Sequence, residues 1–99
     1  MPAYVISEVE VLDEDAANAY REIAIPSILE HGGRFLARGG AVEVVEGAAY
    51  KQRIIIIEFP SMAAARAWYA SSRYAPALAH RARAFDRRLT FIEGVAPPA

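Results

Sequence analysis

From Ala3 to Val11 the chain alternates, with Val5, Ser7, Val9 and Val11 pointing one way and Tyr4, Ile6, Glu8 and Glu10 the other, which is the period of a strand. The first set reads as the side that faces helices. Asp13 and Asp15 then offer capping oxygens and favourable charge at a helix start, and Ala17, Tyr20, Ile23, Ala24, Ser27 and Ile28 recur at helical spacing. Glycine after His31, in His31-Gly32-Gly33, permits a left-handed cap that ends this helix. Pro26 lies inside it and has no N–H, which predicts a kink or break at about Ile23 to Ile25. A second strand is expected over Arg34–Arg38, with a bulge or bend at Gly39-Gly40 and a resumption over Ala41–Glu46. Gly47 to Gln52 turns the chain into a third strand, Arg53–Phe59. Ser61 caps a second helix with Met62, Ala65, Trp68 and Tyr69 on one stripe, and Ser71 to Pro76 breaks it. A short third helix through Phe85 and a last strand over Leu89–Val95 complete the pattern.

The third strand holds four consecutive isoleucines, Ile54 to Ile57, so apolar side chains leave both faces of the sheet and both faces need cover. A chain of 99 residues supplies about one helical layer, so the other face calls for a second copy of the chain. The order β-α-β-β-α-β, with an additional helical turn before the last strand, is the ferredoxin-like α+β unit. Right-handed crossovers give an antiparallel sheet in the spatial order fourth, first, third, second. Two such sheets face to face would form a dimeric α+β barrel, with a pocket between sheet and first helix or in the barrel mouth. Residues 1–95 read as one domain and 96–99 as a mobile tail.

Composition narrows the class without naming a reaction. The chain has no cysteine, which removes disulfides and thiolate chemistry and fits a cytoplasmic location. No apolar run approaches the ~18 residues of a membrane span, and the N-terminus enters a strand pattern without a signal-like segment, so neither membrane insertion nor secretion is expected. Residues 1–50 hold nine acids and three bases, and residues 51–99 three acids and eight bases, so charges of −6 and +5 sum to −1. Arg66, Arg73, Arg81, Arg83, Arg87 and Arg88 are dispersed along helical sequence without aromatic interleaving, which reads as a solvated face and not as a nucleic-acid surface.

Candidate chemistry is sparse. By alternation Glu8 and Glu58 share a sheet face, and Arg38 on the edge strand can point there too. Such a cluster could hold an anionic substrate on Arg38 while a buried carboxylate moves a proton, or it could be a structural ion-pair network that sets the register of a dimer. Tyr20 could offer its hydroxyl to a ligand or serve the core. His31, at a helix C-terminus, suits a cap or a general acid at a pocket mouth, and His80 sits on a polar helix face. Two isolated histidines without cysteine make no metal site, neither glycine pair matches a phosphate loop, and Ser61 has no neighbouring base in sequence to make it a nucleophile. No cofactor is expected.

The segment Arg34-Phe35-Leu36-Ala37-Arg38-Gly39-Gly40, then Glu43, Glu46-Gly47, Ile57-Glu58-Phe59-Pro60-Ser61, Tyr69, Ser72, Tyr74 and the terminal Phe91-Ile92-Glu93-Gly94-Val95 together resemble the bacterial family of domain of unknown function 1330. The resemblance spans nearly the whole chain and implies a dimeric α+β barrel without an established reaction. That family often has an aromatic residue before the glycine pair where this chain has His31, so a role for His31 would be its own. The expectation is a homodimer binding a small organic molecule, with two alternatives: a cofactor-independent isomerase, lyase or monooxygenase acting on a small acidic or aromatic substrate, or a purely structural dimer.

Overall fold

The computed structural model describes residues 1–50 and 52–96, and its elements run β1 (Ala3–Val11), α1 (Glu14–Glu30), β2 (Arg34–Arg38), β3 (Arg53–Phe59), α2 (Met62–Tyr69), α3 (Ala75–Ala84) and β4 (Phe85–Glu93). The four strands form one antiparallel sheet in the order β2-β3-β1-β4, so the isoleucine strand and β1 are central. This is an α+β ferredoxin-like fold. Of the tail expected to be mobile, residues 97–99 lie outside the described residues.

Strand register sorts the side chains. Val5 lies opposite Ile57 and Phe91, Ser7 opposite Ile55 and Leu89, and Val9 opposite Arg53 and Arg87; this face meets the helices. Tyr4, Ile6 and Glu8 share the other face with Ile54, Ile56 and Glu58 of β3 and Arg88, Thr90 and Ile92 of β4. The molecule measures 45 × 40 × 16 Å along its principal axes, a slab of one sheet and one helical layer.

The core forms where the helices cross β1 and β3. Trp68 stacks on Phe59 at 5.5 Å and tilts against Tyr74 at 4.4 Å, all three almost fully buried. The indole N–H donates to Ser27 Oγ at 3.0 Å, and that hydroxyl donates to the Ala24 carbonyl at 2.7 Å, so no polar atom of this contact is left unpaired. Asp13 caps α1 by accepting from the Ala16 N–H at 3.0 Å, and Ser61 caps α2 by accepting from Ala64 at 3.1 Å. At the end of α1, Gly32 takes φ +81°, and Gly33 passes so close to Ile28 and Phe59 that a Cβ would lie 2.6 Å from the former.

Four expectations are corrected. α1 runs unbroken through Pro26: Pro26 and Glu22 are both exposed, so the carbonyl deprived of its partner belongs to the solvent side of the helix, where its loss costs least. The second half of the second strand, Ala41–Glu46, is not a strand; Gly39, at φ +75°, makes the last ladder bond to the Ile54 carbonyl, and β3 begins at Arg53, so little strand remains to pair beyond it. The bulge falls between Phe35 and Ala37, ahead of the glycine pair. β4 begins at Phe85, four residues earlier than Leu89, so Arg87 and Arg88 belong to a strand and not to a solvated helix face.

Candidate functional site

A cavity of about 380 Å³ opens between α1 and the helix-facing side of the sheet. Its walls are mostly apolar: Val9, Ile55, Ile57 and Leu89 from the strands, Ala24, Ile25 and Ile28 from α1, with Phe35, Trp68 and Phe85. Set into those walls are four arginines, Arg21, Arg38, Arg53 and Arg87, and one carboxylate, Glu14, which lies 3.8 Å from Arg21. Among the described residues Arg38, Arg53 and Arg87 form no ion pair. Arg38 and Arg53 are exposed and Arg87 is half-buried, so these cations give the cavity a positive potential that water screens at Arg38 and Arg53 and less at Arg87.

Arg87 is the innermost of these. β4 alternation aims it inward between Phe85 and Leu89, where Nη1 donates to the Tyr20 hydroxyl at 2.8 Å and Nη2 reaches the Tyr74 hydroxyl at 3.4 Å. Its guanidinium carbon sits 5.2 Å from the Tyr20 ring centroid and 5.8 Å from that of Phe85. Burial disfavours the charge, but the two phenol oxygens outweigh it and hold the Arg87 pKa above its ordinary value.

The two phenols are 2.7 Å apart, oxygen to oxygen, and their protons can be assigned by counting acceptors. Tyr74 is fully buried, and an arginine cannot accept, so among the described residues the only acceptor for the Tyr74 proton is the Tyr20 oxygen. The opposite assignment would strand a hydroxyl proton in the core at a cost of about 1–3 kcal/mol. Tyr74 therefore donates to Tyr20. Tyr20 then accepts from Tyr74 and Arg87 and keeps its own proton for the cavity it lines. Burial first, and then the neighbouring Tyr20 oxygen, push the Tyr74 hydroxyl far above the ordinary tyrosine range against the pull of Arg87.

The residues singled out from sequence divide between two faces. Tyr20 and Arg38 line the cavity; Glu8 and Glu58 lie on the opposite face of the sheet, so the cluster expected of Glu8, Glu58 and Arg38 does not form. The cause is the bulge: one additional residue in β2 turns Arg38 from the Glu58 face to the cavity face, opposite Ile55, where it stacks 4.5 Å over the Phe35 ring. Glu58 pairs instead with Arg34 at 2.9 Å and Glu8 with Arg88 at 3.7 Å. His31 is the C-cap of α1, and its Nδ1 donates to the Ser27 carbonyl at 2.8 Å. Arg87 and Tyr74 escaped sequence reasoning as site residues; the signal for Arg87 was the alternation Phe85, Arg87, Leu89, Phe91, hidden behind a helical run of alanine and arginine. Among the described residues no three His, Asp or Glu side chains gather as a metal site, and no helix is long and apolar enough to cross a membrane.

A four-stranded ferredoxin-like sheet with a cavity beneath its first helix defines the class of protein. The chain belongs to the family described as domain of unknown function 1330, whose model matches residues 2–95. No curated protein matches it. Among solved structures, a protein of unknown function from Rhodopseudomonas palustris aligns with a TM-score of 0.78 at 23% identity, over 97% of this chain and 84% of that one. The cofactor-independent oxygenase SnoaB from Streptomyces nogalater aligns with a TM-score of 0.66 at 9% identity, over 97% and 95% of the two chains. A dimeric ferredoxin-like protein of unknown function from Thermobifida fusca gives 0.54 at 15% identity, over 94% and 91%. At these identities the likeness is one of fold.

Proposed function

We propose that this protein is a homodimer that binds a small apolar organic anion in the cavity between α1 and the sheet. The observation that carries the reading is the set of three arginines lining a mostly apolar cavity, Arg38 and Arg53 exposed and Arg87 half-buried, without a paired carboxylate among the described residues. Arg87 already has the Tyr20 and Tyr74 hydroxyls as partners, so the groups that an anion would engage first are Arg38 and Arg53, which are exposed and have no paired carboxylate among the described residues. The dimer part rests on the apolar second face of the sheet, and the Thermobifida fusca neighbour, described as dimeric, supports it.

Titration with 4-ethylbenzoate and its neutral isostere 4-ethylbenzamide tests the ligand reading. Trp68 lines the cavity and is the only tryptophan, so its indole N–H resonance reports occupancy. The carboxylate is expected to bind at least about tenfold more tightly, the worth of one charge-assisted hydrogen bond. Equal binding of acid and amide would remove the anion from the proposal.

A further inference from the structure

The cavity is polar at two separate places. Across the sheet, Arg53, Val9 and Arg87 form one row, with Val9 directly opposite both arginines. Two strand spacings put the backbones of Arg53 and Arg87 about 10 Å apart, with apolar surface between them. Arg38, one strand further toward the same edge, joins Arg53 at the first pole. The second pole differs in kind: beside Arg87 stands the Tyr20 hydroxyl, whose proton has no acceptor among the described residues because Tyr74 already donates to its oxygen. A guanidinium pair suits a carboxylate, whereas a fixed O–H beside an N–H suits an oxygen that only accepts.

We propose that the ligand is an oxo acid with a flat apolar body, its carboxylate held by Arg38 and Arg53 and its carbonyl oxygen received by Tyr20 and Arg87. This rests on the anion-binding reading above and narrows it to a ligand with acceptors at both ends. Tyr20 is the residue that selects the carbonyl. Tyr74 is a positioning residue: by donating to Tyr20 it turns the Tyr20 proton toward the cavity.

Three benzene derivatives of one frame test the assignment: 4-acetylbenzoate, 4-ethylbenzoate, which lacks the carbonyl, and 4-methylacetophenone, which lacks the carboxylate. Binding is followed at the Trp68 indole N–H. Wild-type protein is expected to prefer 4-acetylbenzoate over 4-ethylbenzoate by about tenfold, the scale of one well-made hydrogen bond to a fixed donor. Tyr20→Phe keeps the ring and is expected to bring that ratio to about one. Adding Tyr74→Phe to Tyr20→Phe removes the hydroxyl left without an acceptor, protects the fold, and should leave the ratio at about one. Replacing Arg38 and Arg53 together by methionine is expected to abolish the preference for 4-acetylbenzoate over 4-methylacetophenone. A wild-type ratio near one, or a preference that survives Tyr20→Phe, would overturn the proposal. The neutral pair 4-methylacetophenone and 4-ethyltoluene separates the two readings: preference for the ketone there, lost in Tyr20→Phe, supports the carbonyl site even if the acid and amide bind alike, and its absence counts against the carbonyl site alone.

Discussion

A tyrosine hydroxyl in the core and an arginine in an apolar wall are each costly alone, and at this site each relieves the other. The arrangement makes a prediction about alkaline stability. The Tyr74 pKa is raised in the folded state, chiefly by burial, so below the ordinary tyrosine value of about 10 folded and unfolded chains both hold the proton and the full stability is present. Above it the unfolded chain releases the proton while the folded one keeps it, and stability falls by up to about 1.4 kcal/mol per pH unit for this one group. Tyr74→Phe is expected to cost about 1 kcal/mol at neutral pH through the lost hydrogen bond, yet to show a shallower decline above about pH 10. Urea unfolding midpoints on either side of that pH check both parts, and parallel alkaline slopes in the two proteins would contradict the buried-phenol assignment. Such a site is hard to see in sequence. Tyr20 was legible because it sits on the inner stripe of a helix, whereas Arg87 follows a run of alanine and arginine at helical spacing, and nothing local says that the helix has already ended at Ala84.

At the scale of elements, periodicity carried most of the fold, because strands and helices that bury one face must repeat at 2.0 or 3.6 residues. What it could not carry was the bulge in β2. An additional residue changes the face of everything after it, and Leu36, which sits there, looks like any other strand residue. That single insertion moves Arg38 from the expected carboxylate cluster to the cavity, so the misplacement of the site was a register error and not an error of fold. Caps were more legible, since a serine oxygen one residue before an apolar helical stripe has few other uses. Ser61→Ala is therefore expected to lower stability by about 1 kcal/mol, measured by chemical denaturation, with Ser61→Asp close to wild type. An alanine variant as stable as the parent would mean that α2 is held by Trp68 packing alone.

At the scale of the whole molecule, the slab is complete on one side only. The second face of the sheet presents Ile6, Ile54 and Ile56, with Ile92 still 52% exposed, between two cross-strand ion pairs, Glu8 with Arg88 and Arg34 with Glu58. In the proposed dimer this apolar centre, flanked by the two charged pairs, would supply affinity while the charges fix the register. Burying one isoleucine contributes about 1.5–3 kcal/mol, and a two-fold contact counts each twice, so loss of a single position matters. Ile54→Asp would place a carboxylate in that centre without a partner. The expected outcome is a shift from dimer to monomer, or aggregation, in sedimentation at micromolar concentration, while the parent sediments as a dimer. Because the cavity opens on the opposite side of the sheet, a soluble monomeric Ile54→Asp is expected to retain binding of 4-ethylbenzoate to within a few fold. A wild-type monomer, or an Ile54→Asp protein that remains a folded dimer, would show that this face meets water and not a second copy.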